Sequence, residues 1–388
     1  MAQRRKVALL IETSNSYGRE LLHGVRSWVR ENGSWSIRLS EHGRGAGIPS
    51  WLRHWQGDGI IARVESSRVA SALRAVRVPV VDVAAALPEP VFPRVVTDSR
   101  AVTGLAAAHL RDRGLRHFGY CGDEQFYWSS QRGRFFADHV HAMGGTISFF
   151  AQPAERWDLH NADRELKAIG RWLQALPKPA GVLACYDVRG RQVLEACQEV
   201  NLAVPDEVAV IGVHNDDLLC DLCDPPLSSV IPNARRTGYE AAALLARLMA
   251  GHRVPLETRF VEPLGVESRQ STDVLAVADP KLAAALRFIR ERVGARVSVA
   301  DVLRAVPMSR TLLEQKFRHF LGRTPHEYIQ MVRNERVKAL LTTTDLSIGV
   351  IAERTGYEHI EYLSVSFRRA TKLSPSDYRK RHRVSRSF

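Results

Sequence analysis

Cysteine is scarce in this chain: five in 388 residues. So few thiols, odd in number, cannot staple a fold of this length, which excludes a disulfide-built scaffold and points to a reducing, cytoplasmic setting. No run of about 18 apolar residues occurs, so no membrane-spanning helix is expected. After the basic start Met1-Ala-Gln-Arg-Arg-Lys6, only Val7–Ile11 precede Glu12. That core is too short for a signal peptide, and none is expected. Signatures of the HExxH, GxSxG and kinase types are absent. Gly43-x-Gly45-x-Gly47 lacks the Rossmann spacing and the P-loop lysine, so it signals no nucleotide. Cys220-Asp-Leu-Cys223 is the lone CxxC, with His214 its only neighbouring candidate ligand, and a zinc site needs about four. Neither catalytic residues, a metal nor a cofactor is expected.

Positive charge is abundant, and it is segregated. The whole chain carries a net charge of +13, and Leu275–Phe388 holds 22 Lys+Arg against 11 Asp+Glu, a net of +11. A basic module of this kind suggests a polyanion, most often nucleic acid.

The length fits two or three domains. Up to about residue 265, short Val/Ile/Leu-rich runs alternate with helical patterns. The runs are Val7–Ile11, Gly59–Ala62, Pro79–Val83, His117–Cys121, Gly181–Cys185 and Val208–Val213. The helical patterns are Arg19–Arg30, Val102–Arg113, Leu166–Leu176 and Gly190–Val200. Continuous rather than alternating apolar strands imply parallel sheets covered by helices on both faces. One set of strands ends before Asp98 and another begins at His117, which predicts two α/β lobes. Ser268–Asp273 reads as polar linker. Beyond it no strand pattern appears; Leu282, Leu286, Ile289 and Val293 begin a series of short helices. The expected fold is therefore a two-lobed α/β domain over 1–272, a linker over 273–280, and an all-α domain over 281–388.

The last part repeats itself. Ser298–Val306, a break at Pro307-Met308, and a helix over Thr311–Phe320 capped by Ser309 read as a helix-turn-helix burying Leu313, Phe317 and Phe320. Ser347 caps a second such unit: Ile348–Thr355, a Gly356-Tyr357 turn, then about His359 to Ala370, burying Leu363 and Phe367. Each ends in a matching phrase, Phe317-Arg-His-Phe-Leu-Gly-Arg-Thr-Pro-His-Glu-Tyr328 and Phe367-Arg-Arg-Ala-Thr-Lys-Leu-Ser-Pro-Ser-Asp-Tyr378. Pro325 and Pro375 suit the first turn of a following helix. On these motifs, Asp279–Arg383 resembles the AraC-type DNA-binding domain, two helix-turn-helix motifs joined by a connector, here His326–Leu341. Pro307 and Lys372 depart from the glycines usual in that pattern. The resemblance implies that the N-terminal outward residues of each second helix read base edges of double-stranded DNA. These are Arg310, Thr311, Glu314 and Gln315, with Arg318 one turn on, and in the second unit His359, Ile360, Glu361 and Tyr362. Arg368 and Arg369 are placed to hold phosphates.

In open α/β sheets ligands sit beyond the carboxyl ends of strands. Asn15, Tyr17 and Arg19 follow the first strand, Asp98 precedes a helix, and Trp128 and Arg132 follow Cys121. Asp187 and Arg189 follow Cys185, and His214 and Asn215 follow Val213. Carboxylates, amides and guanidiniums suit a polyhydroxy ligand, and an aromatic can stack on a sugar ring. Tyr17, Gly57-Asp-Gly-Ile-Ile61, Thr97-Asp98, Trp128 with Arg132, Asp187-x-Arg189, Val210-Ile-Gly-Val-x-Asn215 and Pro226-Leu-Ser-Ser-Val230 are similar to the periplasmic-binding-protein-like effector domains of LacI-family repressors. Such a domain joined to an AraC-type reader resembles the xylose operon activators. That resemblance implies a D-xylose effector bound by Asp98, Arg132, Asp187 and the 214–215 pair. It also implies a homodimer on operator DNA that activates transcription by RNA polymerase, with no membrane partner. His214 stands where the pattern has Asp, so another sugar or a sugar acid is an open alternative. A sugar-binding transport protein and a sugar-acting enzyme are the further alternatives.

Two DNA-binding outcomes follow. Replacing Arg318 with Ala weakens binding to all sequences alike and flattens the salt slope by about one unit, read by titration at several salt concentrations. Replacing Gln315 with Ala costs about 1–3 kcal/mol at one base pair only, read by binding to singly substituted sites.

Overall fold

A computed structural model describes residues 4–39, 47–150, 162–273, 279–292, 294, 296–344 and 346–382. Gly43, Gly45, Val293 and most of the expected linker lie outside the described residues. The chain forms two compact units that divide between Val274 and Leu275.

The first unit contains two lobes, each built on a six-stranded sheet. The first lobe begins with β1 (Lys6–Leu10), α1 (Ser16–Asn32), β2 (Ser36–Leu39), β3 (Gly59–Ala62), α2 (Ser67–Val76), β4 (Val80–Asp82) and β5 (Arg94–Thr97). The chain then passes into the second lobe through α3 (Ser99–Arg111), β6 (His117–Cys121), α4 (Tyr127–Ala142), β7 (Thr146–Phe150), α5 (Ala162–Ala175) and β8 (Ala180–Ala184). This lobe continues with α6 (Asp187–Glu199), β9 (Val208–Val213), α7 (Asp217–Leu222) and β10 (Ser228–Ile231). It returns to the first lobe as α8 (Ala234–Met249) and β11 (Thr258–Val261), and closes the second as β12 (Gly265–Glu267). The sheet orders are β11-β5-β4-β3-β1-β2 and β12-β10-β9-β8-β6-β7. All pairings are parallel except β10 with β12.

The six apolar runs read from the sequence are β1, β3, β4, β6, β8 and β9, shifted by at most a residue. They are buried on both faces, as parallel sheets require. The six strands without a sequence signal are short, polar or at an edge. The edge strand β2 is exposed throughout, and β10 begins with buried Ser228 and Ser229.

The linear division into lobes needs one correction. The segment 234–261 belongs to the first lobe although it follows the second in sequence, so the chain crosses between lobes three times. Two backbone bonds tie the crossovers together, Asp98 N–H to Val261 C=O and Leu264 N–H to Ile231 C=O, both 2.9 Å. The return is anchored where α8 crosses α1. A Cβ on Gly24 would lie 2.0 Å from Arg235 C=O, and one on Gly238 the same distance from Leu21 C=O, so only glycine permits the approach. The buried stripe of α1 is accordingly Gly18, Leu21, Gly24 and Val25. Leu22, Trp28 and Val29 are only partly buried, packed against the same core.

Ser268–Asp273 is not free linker. Gln270–Thr272 forms a single helical turn packed into the second lobe. There Ser271 Oγ donates to Val210 C=O and accepts from Ser228 N–H, and Thr272 Oγ1 lies 2.7 Å from Ser228 Oγ.

The second unit consists of α9 (Pro280–Glu291), α10 (Val299–Ala305), α11 (Arg310–Leu321), α12 (Pro325–Thr343), α13 (Ile348–Arg354), α14 (Ile360–Thr371) and α15 (Pro375–His382). It has two small cores. Leu282, Leu286, Val302, Leu313 and Phe317 fill one, and Ile351, Tyr357, Leu363 and Phe367 the other. The connector α12 serves both, placing Tyr328 and Ile329 in the first and Val337 and Leu341 in the second. Phe320 is a correction: at 42% exposure it lies outside the core. The two turns also differ. Gly356 takes φ 73°, whereas the Pro307 turn follows Val306 at φ −126° and needs no left-handed residue. Lys372 adopts φ 63°, matching Gly322 at φ 64°, so the glycine exchange leaves that cap intact.

Asp82 and Arg94 form a buried ion pair beside β4 and β5, at 2.9 Å. Asp82 also accepts from Val64 and Ala84 N–H. Burial outweighs these donors and pushes its carboxyl up to about 6, so it is ionised at neutral pH. Replacing Arg94 with Met leaves that charge buried without its partner, and urea denaturation should read a loss of about 3–5 kcal/mol. The double replacement with Asp82→Asn should recover part of it; equal losses would mean that the pair is not the cause.

Candidate functional site

The carboxyl ends of β1, β3, β6, β8 and β9 carry the polar side chains, because their middles are buried on both faces. A row of rings runs across them. Tyr17 of α1 lies 5.0 Å from His214, which belongs to the opposite lobe. His214 lies 6.4 Å from Tyr186, Tyr186 5.9 Å from Trp128, and Trp128 stacks on Phe126 at 5.4 Å. Tyr17 Oη lies 3.4 Å from Thr97 Oγ1 at the first crossover, and the Arg63 guanidinium is 5.7 Å from the Tyr17 ring. His214 and Asn215 sit at φ 110° and 51°, a conformation uncommon for non-glycine residues that aims the imidazole at Tyr17.

Arg132 lies beside this row, 5.2 Å from the Trp128 ring. It is only 8% exposed, its Nη1 donates to Cys185 C=O, and its Nε finds no acceptor. No carboxylate neutralises it among the described residues. At the end of β1, Glu12 is buried with Oε2 unpartnered, while its Oε1 accepts from Ser14 and Asn15. The site thus offers ring faces, an unsatisfied cation and an unsatisfied acceptor.

The other expected ligand residues are engaged in the fold. Asn15 caps α1 by accepting from Gly18 N–H, and Asp98 caps α3 by accepting from Arg100 and Ala101 N–H. Arg19 points outward and donates to Thr13 C=O. Asp187 accepts from Ser229 Oγ at 2.6 Å and Asp216 N–H at 2.8 Å. Arg189 donates to Glu165 at 2.7 Å and lies 4.0 Å from Asp123. Asn215 accepts from Arg269 at 2.8 Å. Of the expected residues, Tyr17, Trp128, Arg132 and His214 are therefore the ones brought together along the aromatic row. Asp187, Arg189 and Asn215 form the layer beneath it.

Sequence reasoning missed Glu12, Tyr186 and Arg269. The first two follow strands and could have been found by the rule used for their neighbours. Arg269 could not, because it sits in a stretch read as linker. Cys220 and Cys223 are buried thiols, and burial pushes Cys223 up to about 11. No three His, Cys, Asp or Glu side chains among the described residues are placed to hold a metal ion.

In the second unit the two second helices match position by position in exposure. Burial along 311–320 and 361–370 follows one identical pattern. Arg310, Thr311, Gln315 and Arg318 are exposed on α11, and Glu314, half-buried, accepts from Arg310 at 3.1 Å. Ile360, Glu361, Tyr362, Arg368 and Arg369 are exposed on α14, with His359 at its N-cap. Ser309 caps α11 through Leu312 N–H at 3.2 Å.

Comparison with known proteins covers both units. A XylR N-terminal domain family matches residues 6–99, a periplasmic binding protein-like domain family 107–272, and a helix-turn-helix domain family 302–381. The xylose operon regulatory protein of Escherichia coli K12 is 32% identical over 388 residues, covering 97% of each chain. That of Haemophilus influenzae is 30% identical over 390 residues, covering 96% of this chain and 98% of its own. A solved structure of the xylose-binding transcription activator XylR is 30% identical with a TM-score of 0.78, covering 99% of this chain and all of that one.

Asp187 lends the first unit a pH dependence. Burial raises its carboxyl to about 7, against the hydroxyl and amide that favour the charged form. The folded group thus binds its proton more tightly than an unfolded Asp near 3.9. Its contribution to stability is complete below about pH 4 and is lost as pH rises through 7. The stability of the parent relative to Asp187→Asn should fall over that window in urea denaturation at stepped pH; a constant difference would reject the assignment.

Proposed function

The chain belongs to the xylose operon regulatory protein family, and from that premise we propose that a small sugar bound between its lobes governs DNA binding by its C-terminal unit. It is an AraC-type transcription regulator with a periplasmic-binding-like domain, and its relatives are regulators rather than enzymes. The observation that carries the ligand proposal is the aromatic row from Tyr17 to Phe126, which bridges both lobes and has beside it the buried Arg132, with no carboxylate partner among the described residues.

Tyr17 and Trp128 offer ring faces to a pyranose, Arg132 donates to ring or hydroxyl oxygens, and Glu12 accepts from a hydroxyl. His214 supplies one donor and one acceptor when neutral. Asp187, Arg189, Asn215 and Asp98 hold this set in place through the bonds described above. The three crossovers form the hinge, and a sugar touching Tyr17 on one lobe and His214 on the other favours the closed arrangement. It shifts the equilibrium only by its difference in affinity for the two arrangements. The working form is a cytoplasmic homodimer. Its AraC-type units, over 281–388, occupy operator half-sites and promote transcription by RNA polymerase. The effector is D-xylose or a closely related pentose. Arg132, buried and with no carboxylate partner among the described residues, favours a sugar acid as the second reading.

A thermal-shift screen of pentoses, hexoses and sugar acids on the full-length protein tests this. At 100-fold over its dissociation constant a ligand adds about 2.7 kcal/mol. D-Xylose should raise the melting temperature, and both Tyr17→Ala and Arg132→Leu should abolish the rise. A shift with acids alone selects the second reading, and no shift with any sugar or acid rejects the cleft.

A further inference from the structure

The two helix-turn-helix units are a duplication with a fixed offset of fifty residues from the second helix onward. Leu313 matches Leu363, Phe317 matches Phe367, Gly322 matches Lys372 in the left-handed cap, and Pro325 matches Pro375. The helices Arg310–Leu321 and Ile360–Thr371 have equal length, and their burial patterns coincide. Position by position, Thr311 corresponds to Glu361, Leu312 to Tyr362, Gln315 to Val365, and Arg318 to Arg368.

This register singles out Val365. It occupies the outward centre of α14, where α11 carries Gln315, and it is 69% exposed. Tyr362, one turn earlier, is 66% exposed. The helix therefore presents an apolar centre, flanked by Glu361 on one side and by Arg368 and Arg369 a turn further on. A β-branched residue gains nothing from an open helix surface, where Gln or Lys is the better helix former. Single exposed apolar residues are common. These two are adjacent, and the matching pair in the first unit is Leu312, 39% exposed, and the polar Gln315, so the units differ in polarity at the Val365 position.

We propose that Val365 is a base-reading residue specific for thymine, and that the two recognition helices read different chemistry. Valine has no donor or acceptor. The one base-edge group of the major groove that it can desolvate is the C5-methyl of thymine. Gln315 at the matching position hydrogen-bonds adenine. The first unit thus selects by hydrogen bonds, and the second by methyl contact, with Tyr362 covering the same edge and Arg368 and Arg369 holding the backbone. The occupant of this apolar face is DNA because the face continues the outward side of a recognition helix inside a unit of net charge +11. The proposal rests on that unit reading DNA.

The test uses the full-length protein and duplexes it selects from a random-sequence pool, with and without D-xylose. Each thymine of the selected site is replaced in turn by uracil, which removes only the methyl. One or two replacements in the half of the site read by α14 should weaken binding about fourfold, the equivalent of roughly 0.8 kcal/mol for one buried methyl. Val365→Ala should erase that dependence while leaving the others unchanged. Val365→Gln should move the preferred base at that position to adenine in a fresh selection. The side chain is exposed, so neither variant disturbs the core, and unchanged thermal melting verifies this. Uracil effects that persist undiminished in Val365→Ala, or an unchanged site in Val365→Gln, would overturn the proposal and assign the face to a protein partner. Failure to select any sequence would overturn the DNA reading itself together with this one.

Discussion

Burial of parallel strands on both faces leaves only their ends for chemistry, and the first unit is organised by that constraint. The strands β1, β3, β6, β8 and β9 carry almost nothing polar along their lengths. The turns after them therefore concentrate what the lobes can offer a ligand. Helices begin there too, so the same turns must also supply caps. The candidate site is shaped by that competition. Asn15 and Asp98 spend a side-chain oxygen on helix N-termini, whereas Tyr17, Trp128 and Arg132 are left facing the gap.

The gap itself depends on the three crossovers. A single connection would let the lobes separate freely. Three, tied by backbone bonds between Asp98 and Val261 and between Leu264 and Ile231, restrict motion to a hinge. The Tyr17–His214 contact spans the two lobes next to these crossovers. Beneath it, Asp187 binds Ser229 and Asp216, and Arg189 binds Glu165. These bonds fix the second lobe's half of the row to its own helices and strands.

The second unit solves a different problem. Each helix-turn-helix is too small for a large core, and α12 meets this by contributing to both cores. Sharing one helix fixes the two recognition helices relative to each other within the unit. The duplication preserved the buried positions, Leu313 with Leu363 and Phe317 with Phe367, and let the outward ones diverge. Packing tolerates few changes at the former, and solvent tolerates many at the latter.

Hydrophobic period and turn chemistry were enough, from sequence alone, to reveal the buried strands, the two-lobed α/β class, the basic helical module and its repeated phrase. These features are local, because the pattern that buries a strand or caps a helix lies within a few residues. The edge strands were not legible: β2 is exposed on both faces, and the alternation Ser36-Ile37-Arg38-Leu39 spans only four residues. The return of α8 and β11 to the first lobe was not legible either, since it rests on glycine contacts between residues more than two hundred positions apart, Gly24 and Arg235 among them. At the site, the sequence nominated every polar residue after a strand without ranking them. Only the tertiary structure separated Arg132, whose guanidinium meets no carboxylate among the described residues, from Arg189, which has Glu165. Whether a charge is satisfied depends on what folding brings beside it, and that information is not carried by the charged residue or its neighbours in the chain.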